Sequence, residues 1–506
     1  MLATVLSATL VGLDALPVTV EVDVGPGLPS FVIVGLPDAA VQEARERVRS
    51  AIRNSGFDLP PRRIVVNLAP GDRRKEGPAF DLPIALAMLV ATGQLPQERV
   101  HGYLASGELA LDGSVRGVPG AIVIAQAASE RRARGLLVPA SNAREAAITE
   151  EVSVYGVGAL RAAVAHLAGS ERLTPVPSSQ AAAAPHPTAP LDLADVRGQP
   201  AARRALEIAA AGGLNTLFVG PPGVGKTMLA RRLPTILPPL QRSEAIEVTK
   251  IFSVAGLLPD GGGLIWDRPF RAPHHTASSS AIVGGAGFRP GEITLSHHGV
   301  LFLDEMPQFR LDALEALRQP LEDGVVVVAR AHGTVRFPSQ FALVAAMNPC
   351  PCGFRGDPRR DCTCTAPQVQ RYLARVSGPL LDRIDLHVEV PRPPIGDLLA
   401  GGSGESSSTV RARVIAARER ACARAGAGRG SPRSRANGFS AALDPAARVF
   451  LRAAADRLVL GARAAHRVVR VAASIADLEG AETIQAHHVA EALQYRVLDR
   501  PAARTP

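Results

Sequence analysis

The sequence is poor in what would tie it to a membrane or to the outside of a cell. No apolar run approaches the roughly 20 residues of a bilayer-crossing helix, so no membrane span is expected. Five cysteines in 506 residues make no disulfide framework, and a reducing cytoplasm is the expected setting. The apolar N-terminus has no basic flank and carries Asp14, Glu21 and Asp23 early, so no signal peptide is expected. Lysine is nearly missing: Lys75, Lys226 and Lys250 are the whole complement, and arginine carries the formal charge of +9. Beside so much alanine and glycine, that bias is also what a GC-rich coding sequence writes. The charge therefore permits a nucleic-acid partner without establishing one. The length suggests several domains, and the apolar content suffices for separate cores.

What is present centres on one of those lysines. Gly220-Pro221-Pro222-Gly223-Val224-Gly225-Lys226-Thr227 fits the phosphate-loop pattern G-x-x-x-x-G-K-[ST]. Glycines there let backbone N–H groups wrap phosphates, Lys226 reaches the β- and γ-phosphates, and Thr227 offers its hydroxyl to Mg²⁺. The apolar run Leu217-Phe218-Val219 precedes it as a strand, and Met228 to Leu233 continues it as a helix whose N-terminus faces the anion. ATP and Mg²⁺ are the expected ligands. Downstream, Val300-Leu301-Phe302-Leu303 is an apolar strand ending in Asp304 and Glu305. Asp304 would hold the Mg²⁺ shell, and Glu305 would orient and deprotonate the attacking water. Phe341 to Met347 is a further buried strand, with the Asn348 amide at its end able to hydrogen-bond the γ-phosphate or that water.

Immediately after Asn348 come Cys350-Pro-Cys352 and Cys362-Thr-Cys364. Two such pairs across a short loop can close a tetrahedral Zn²⁺ site, with unligated or redox-active thiols as the alternative. Cys422 reads as a packed residue. The pairs His274-His275 and His297-His298 suggest metal ligation at first sight, but adjacent residues rarely face one ion together. Packing or a relay to substrate is the favoured reading.

The rest organises around this core. Val18 to Val24, Phe31 to Val34 and Ile64 to Leu68 read as strands, and Ala39 to Ile52 and Asp81 to Ala91 as helices. Residues 1–168 are expected to form one α/β domain. The Pro-, Ser- and Ala-rich stretch 169–190 is a linker, 191–397 the nucleotide core, 398–440 a flexible basic connector and 441–506 a helical domain. Within the connector, Arg411, Arg413, Arg418, Arg420, Arg424, Arg429, Arg433 and Arg435 form the densest basic run, either a partner-binding patch or a solvated helix face. Val325 to Arg330 and Thr334 to Phe337, around Ala331-His332-Gly333, read as a hairpin.

Together these motifs resemble the YifB/ComM family, magnesium-chelatase-like AAA+ ATPases with an N-terminal Lon-protease-like domain. Gly35-Leu36-Pro37-Asp38, Asn67-Leu68-Ala69-Pro70 and Lys75-Glu76-Gly77-Pro78-Ala79-Phe80-Asp81-Leu82-Pro83 carry the likeness in the first domain. Arg268 to Thr276 and Gly291 to Gly299 carry it in the second. The resemblance implies a Lon-like α/β domain, an AAA+ core with a parallel sheet and an all-α lid. Ala79 and Ile122 stand where active Lon proteases have their nucleophilic serine and catalytic lysine, so no protease activity is expected. By the same likeness, Asn348 takes the sensor-1 position and Arg383 in Gly378 to Asp385 looks like an arginine finger. Its alternative role is a structural ion pair. Arg463 is the sensor-2 candidate, with Arg467 next in line. Arg330, His332 and Arg336 on the hairpin are candidate DNA phosphate contacts, against plain surface charge. The family implies a homo-hexameric ring and, for ComM, a DNA helicase driving branch migration during natural transformation. A protein-remodelling or regulatory ATPase and a magnesium-chelatase motor subunit are the alternatives. The Lon-like domain and the cysteine cluster speak against the latter, and no chelatase partner is expected.

Overall fold

The computed structural model describes residues 2–178, 191–259, 261–330, 333–394, 396, 404–424 and 443–496. The chain starts with a long antiparallel ribbon, β1 (Leu2–Val11) and β2 (Asp14–Gly25), in register from Leu2↔Asp23 to Val11↔Asp14. Gly12 turns the ribbon with φ +64°, a conformation that glycine adopts without strain. β1 is not among the expected elements. Its residues Leu2, Thr4, Leu6, Ala8 and Leu10 share one face, of which Leu2 and Thr4 are exposed while Ala8, with Leu6 and Leu10 against it, packs into a second core. Apolar residues therefore stand on both faces, and the strand shows no clean apolar–polar alternation.

β3 (Ser30–Val34), β4 (Arg63–Ala69), β5 (Tyr103–Ala105), β6 (Gly135–Pro139) and β7 (Val154–Val157) complete a seven-stranded sheet ordered β3-β4-β2-β1-β5-β6-β7. Helices α1 (Ala39–Asn54) and α2 (Asp81–Ala91) close a core with it, and every residue of α2 is buried. The domain does not stop where the linker was expected to begin: Leu173 and Val176 pack back onto it, and Val176 N–H donates to Val154 O at 2.9 Å. Residues 179–190 of the expected linker lie outside the described residues.

The second sheet is wholly parallel. Its strands β8 (Thr216–Val219), β9 (Phe270–Arg271), β10 (Val300–Leu303), β13 (Ala342–Met347) and β14 (Leu386–Glu389) lie in the order β9-β10-β13-β8-β14. The hairpin forms as expected, from β11 (Val325–Arg330) and β12 (Gly333–Pro338), with Val326, Val328 and Phe337 turned into the core and Arg330 and Arg336 exposed. Helices α4 (Pro200–Gly212) and α5 (Lys226–Ile236) flank the sheet. α6 (Arg242–Ala255) belongs to two domains at once. Its Val248 and Val254 share a hydrophobic core with Ile122, Ile124 and Ala125 of α3 (Ala121–Glu130). At that junction the buried Glu145 carboxylate accepts from Ile122 N–H at 3.0 Å, from Asn142 Nδ2 at 3.0 Å and from the Ser253 hydroxyl of α6.

The C-terminal helices are α8 (Ser407–Arg424), α9 (Pro445–Leu458), α10 (Ala462–Glu479) and α11 (Ala486–Gln494). α8 is neither a flexible connector nor a basic patch. Val410 and Val414 are buried in the core that α4 and α10 share, and Ala417 is buried as well. Four of its five arginines are consumed within the chain. Arg413 pairs with Glu207 at 2.6 Å and with Glu405, Arg418 donates twice to Ala210 O, Arg420 donates to Asp477 O, and Arg424 pairs with Asp477 at 2.6 Å. Burial holds Arg418 down to about 10. Arg429, Arg433 and Arg435 lie outside the described residues.

Candidate nucleotide site

Strand order assembles the site. β13 lies between β8 and β10, so the residue at its end stands between the phosphate loop leaving β8 and the acidic pair ending β10. In the loop, a Cβ on Gly220 would meet Val390 O at 2.2 Å, and Gly223 and Gly225 have φ of +78° and +94°. Side chains at these positions would clash or strain, so the glycines follow from the backbone path as well as from phosphate chemistry.

Lys226 opens α5 and is buried. Its ammonium donates to Gly220 O at 2.6 Å, Pro221 O at 2.9 Å and Asn348 Oδ1 at 2.9 Å. Desolvation pulls it down to about 8, against the charges of Asp304 and Glu305. All three partners are neutral oxygens. A buried cation held this way suits a polyphosphate, which would bring the compensating charge. Thr227 Oγ1 donates to Asp304 Oδ2 at 2.8 Å, which puts a hydroxyl and a carboxylate side by side as hard oxygen donors for Mg²⁺. Glu305 is exposed in the left-handed region at φ +51°, with its backbone N–H on Asp304 Oδ1 at 3.0 Å. A non-glycine residue held there is strained, a feature that concentrates at working sites. Val224 is buried, and Pro221, Pro222 and Met228 complete the cradle.

The arginines stand elsewhere. Arg383 O accepts from Asn215 Nδ2 at 2.7 Å, and Asn215 precedes β8, so Arg383 is at the opposite end of that four-residue strand from the phosphate loop. At roughly 3.3 Å per residue the separation is about 13 Å. Its guanidinium pairs with Glu322 at 2.5 Å and donates to Pro379 O at 2.6 Å. Arg467 is also held at that end, on the buried Asp385 at 3.0 Å, with Arg470 on the same oxygen at 3.3 Å. Arg463, exposed one turn before Arg467, makes no hydrogen bond or ion pair among the described residues. The structure does not join it to Lys226, Asp304 or Asn348. His332 lies outside the described residues.

The histidine pairs fill structural roles. His297 Nδ1 accepts from Gln340 N–H at 3.0 Å, which fixes the ring proton on Nε2, directed at Glu247 Oε2 3.0 Å away. His298 reaches the same oxygen at 2.9 Å, and these bonds hold Glu247 well below the usual carboxylate range. With both nitrogens of His297 engaged, that ring has no free lone pair for a metal. His488 repeats the pattern, accepting from Gln485 N–H and facing Glu479. His274 bonds locally to Thr276 at 2.8 Å. The two signature segments are tied by a bidentate Arg271–Glu292 pair at 2.7 and 2.8 Å.

Two residues of the site's surroundings escape the sequence reading. Tyr372, on α7 (Ala366–Leu373), faces the backbone amide of Asn348, and burial raises its phenol, with Glu305 near enough to add to the rise. Glu322, the partner of Arg383, is the other. Neither carries a local signal, because a tyrosine on an amphipathic helix and a glutamate before a glycine turn are ordinary in sequence.

Comparison with known proteins agrees with this architecture. Residues 192–398 match the family model "Magnesium chelatase, subunit ChlI", residues 404–496 match "Magnesium chelatase, subunit ChlI C-terminal", and residues 20–142 match "Subunit ChlI of Mg-chelatase". The chain is 45% identical over 504 residues to the uncharacterized protein YifB of Salmonella typhimurium, covering 99% of this chain and 98% of the relative. It is 44% identical over 507 residues to the competence protein ComM of Haemophilus influenzae, again covering 99% and 98%. Its likeness to the magnesium-chelatase 38 kDa subunit of Rhodobacter capsulatus is 26% over 194 residues, 35% of this chain and 49% of that protein. With a magnesium-chelatase-like AAA+ core and full-length relatives of that similarity, the chain belongs to the YifB/ComM family.

Proposed function

We propose that the chain is an ATP-hydrolysing ring motor that drives branch migration of DNA junctions. The observation that carries the motor is the joined set Lys226–Asn348 and Thr227–Asp304 with Glu305 beside it. Lys226 and the backbone of Gly220 to Thr227 would hold the phosphates of ATP, Thr227 and Asp304 the Mg²⁺, and Glu305 the water proton. ATP bound with Mg²⁺ supplies the phosphoanhydride that is cleaved. Arg383, about 13 Å from its own loop by strand length, would complete the site of a neighbouring copy. That requirement supports a closed ring, with a hexamer as the proposed state. Arg463 is offered as the sensor-2 contact to the γ-phosphate, coupling hydrolysis to movement of the lid.

DNA as cargo is supported by the exposed Arg330 and Arg336 on the hairpin and by the likeness to a protein named for competence. Zn²⁺ at Cys350, Cys352, Cys362 and Cys364 is part of the proposal, as is a cytoplasmic location. The domain assignment goes with it: a Lon-like platform without Ser–Lys chemistry, the AAA+ core and the helical lid. One observation favours protein as cargo instead. Edge strand β3 exposes Val32 and Val34, with Leu28 and Leu36 beside them, an apolar rim that could take an extended polypeptide. ATPase assays with four-way junctions, linear duplex and an unfolded polypeptide separate the readings. Stimulation by junctions supports the DNA motor, whereas stimulation by the polypeptide alone moves the assignment to protein remodelling.

A further inference from the structure

The four clustered thiols lie against the candidate nucleotide site. Their sulfurs are all within 4.8 Å of one another. Cys350 Sγ is 3.3 Å from Cys352 Sγ and 3.6 Å from Cys362 Sγ, and Cys352 Sγ is 3.6 Å from Cys362 Sγ. Four thiolates at about 2.3 Å from one Zn²⁺ stand about 3.8 Å apart, so small shifts close the tetrahedron. The loop between the pairs, residues 353–361, buries little apolar surface: Gly353 is its one buried residue, and its other anchors are the solvent-shielded Asp357 carboxylate on Arg392 at 3.3 Å and Arg360 stacked on Phe354. A loop held so sparsely gains from a cross-link, and zinc ligation supplies that kind of folding energy.

Both ends of the loop run into the catalytic elements. On one side, Cys350 is fully buried two residues after Asn348, whose amide holds Lys226. Gly353, at φ +87°, lies so close to the phosphate loop that a Cβ there would be 2.8 Å from Pro222 Cδ and 3.8 Å from Asn348 Cγ. On the other side, Cys364 leads directly into α7, which brings Tyr372 to the backbone amide of Asn348.

We propose that Zn²⁺ at Cys350, Cys352, Cys362 and Cys364 is a working part of the ATPase, fixing Asn348, Pro222 and Tyr372 against one another. Removing the ion then slows hydrolysis while ATP still binds. The inference rests on the reading of Gly220 to Thr227 and Asn348 as the nucleotide site.

The test uses the full chain purified without chelator, with metal content by mass spectrometry, steady-state ATPase and binding of a fluorescent ATP analogue. Wild type is compared with Cys352→Ser, with Cys364→Ser and with wild type stripped by a chelator and refilled with Zn²⁺. The expected results are one zinc per wild-type chain and less in both variants. The kcat of variants and stripped protein should fall about tenfold or more, as it does when groups supporting a site are lost. Nucleotide Kd should stay within about threefold, and Zn²⁺ should restore the stripped protein, a reversal that a misfolded variant cannot show. Wild type that holds and takes up no zinc, zinc-free variants with wild-type kcat, or loss of binding together with hydrolysis would each overturn the inference. Wild type that binds zinc but no nucleotide would overturn the site reading on which it stands.

Discussion

Lys226 shows how a single residue's surroundings set a measurable property. Its ammonium is buried among neutral oxygens and held down to about 8 from an ordinary 10.5. Below that pH the charge is present, and above it the free protein loses the proton that a bound polyphosphate would retain. Apparent ATP affinity should therefore be flat below pH 8 and fall by up to about tenfold per pH unit between 8 and 10.5. Nucleotide titrations across pH check this: Lys226→Met should bind weakly with no such slope, and a wild-type affinity unchanged to pH 10 would contradict the assignment. At this scale the phosphate loop and the acidic pair were legible in the sequence, because the chemistry needs those residues adjacent in the chain. Tyr372 and Glu322 were not, since their meaning comes from Asn348 and Arg383, which other segments deliver.

Among the elements, those with a clear period were readable: α2 runs from Asp81 to Ala91 as expected, and the hairpin closes from Val325↔Pro338 to Arg330↔Gly333. β1 and the arginines of α8 were not. Charge in a sequence shows what a side chain can donate, but the acceptors Ala210 O, Asp477 O and Glu207 come from α4 and α10. The same limit hid the core–lid latch. Asp385 is fully buried, accepts from Asn215 N–H at 2.9 Å and holds Arg467 and Arg470 of α10. Removing the carboxylate strands two poorly solvated guanidinium groups. Asp385→Ala should cost about 3–5 kcal/mol, whereas removing the exposed Arg310–Asp312 pair should leave stability nearly unchanged. Denaturant unfolding measures both. Equal, small losses would show that the latch does not hold the lid.

At the scale of the whole molecule, α6 joins the N-terminal domain to the nucleotide core, and under the proposed function a second copy completes each site. Arg383→Ala should lower kcat on the order of 10³-fold with little change in nucleotide affinity. Lys226→Ala should be inactive for want of its own site. Mixed together, the two inactive chains should recover ATPase, because an intact phosphate loop on one then meets Arg383 on the other. Absence of recovery in rings that demonstrably mix would place Arg383 in a structural pair with Glu322 only. The most direct test of the central claim follows strand exchange on synthetic three- and four-stranded junctions, with linear duplex as control, for wild type and Glu305→Gln. The account predicts that junction DNA stimulates ATP hydrolysis and that wild type moves the branch point with ATP, whereas the variant binds ATP and does not. Hydrolysis indifferent to every DNA, with no branch movement, would contradict it.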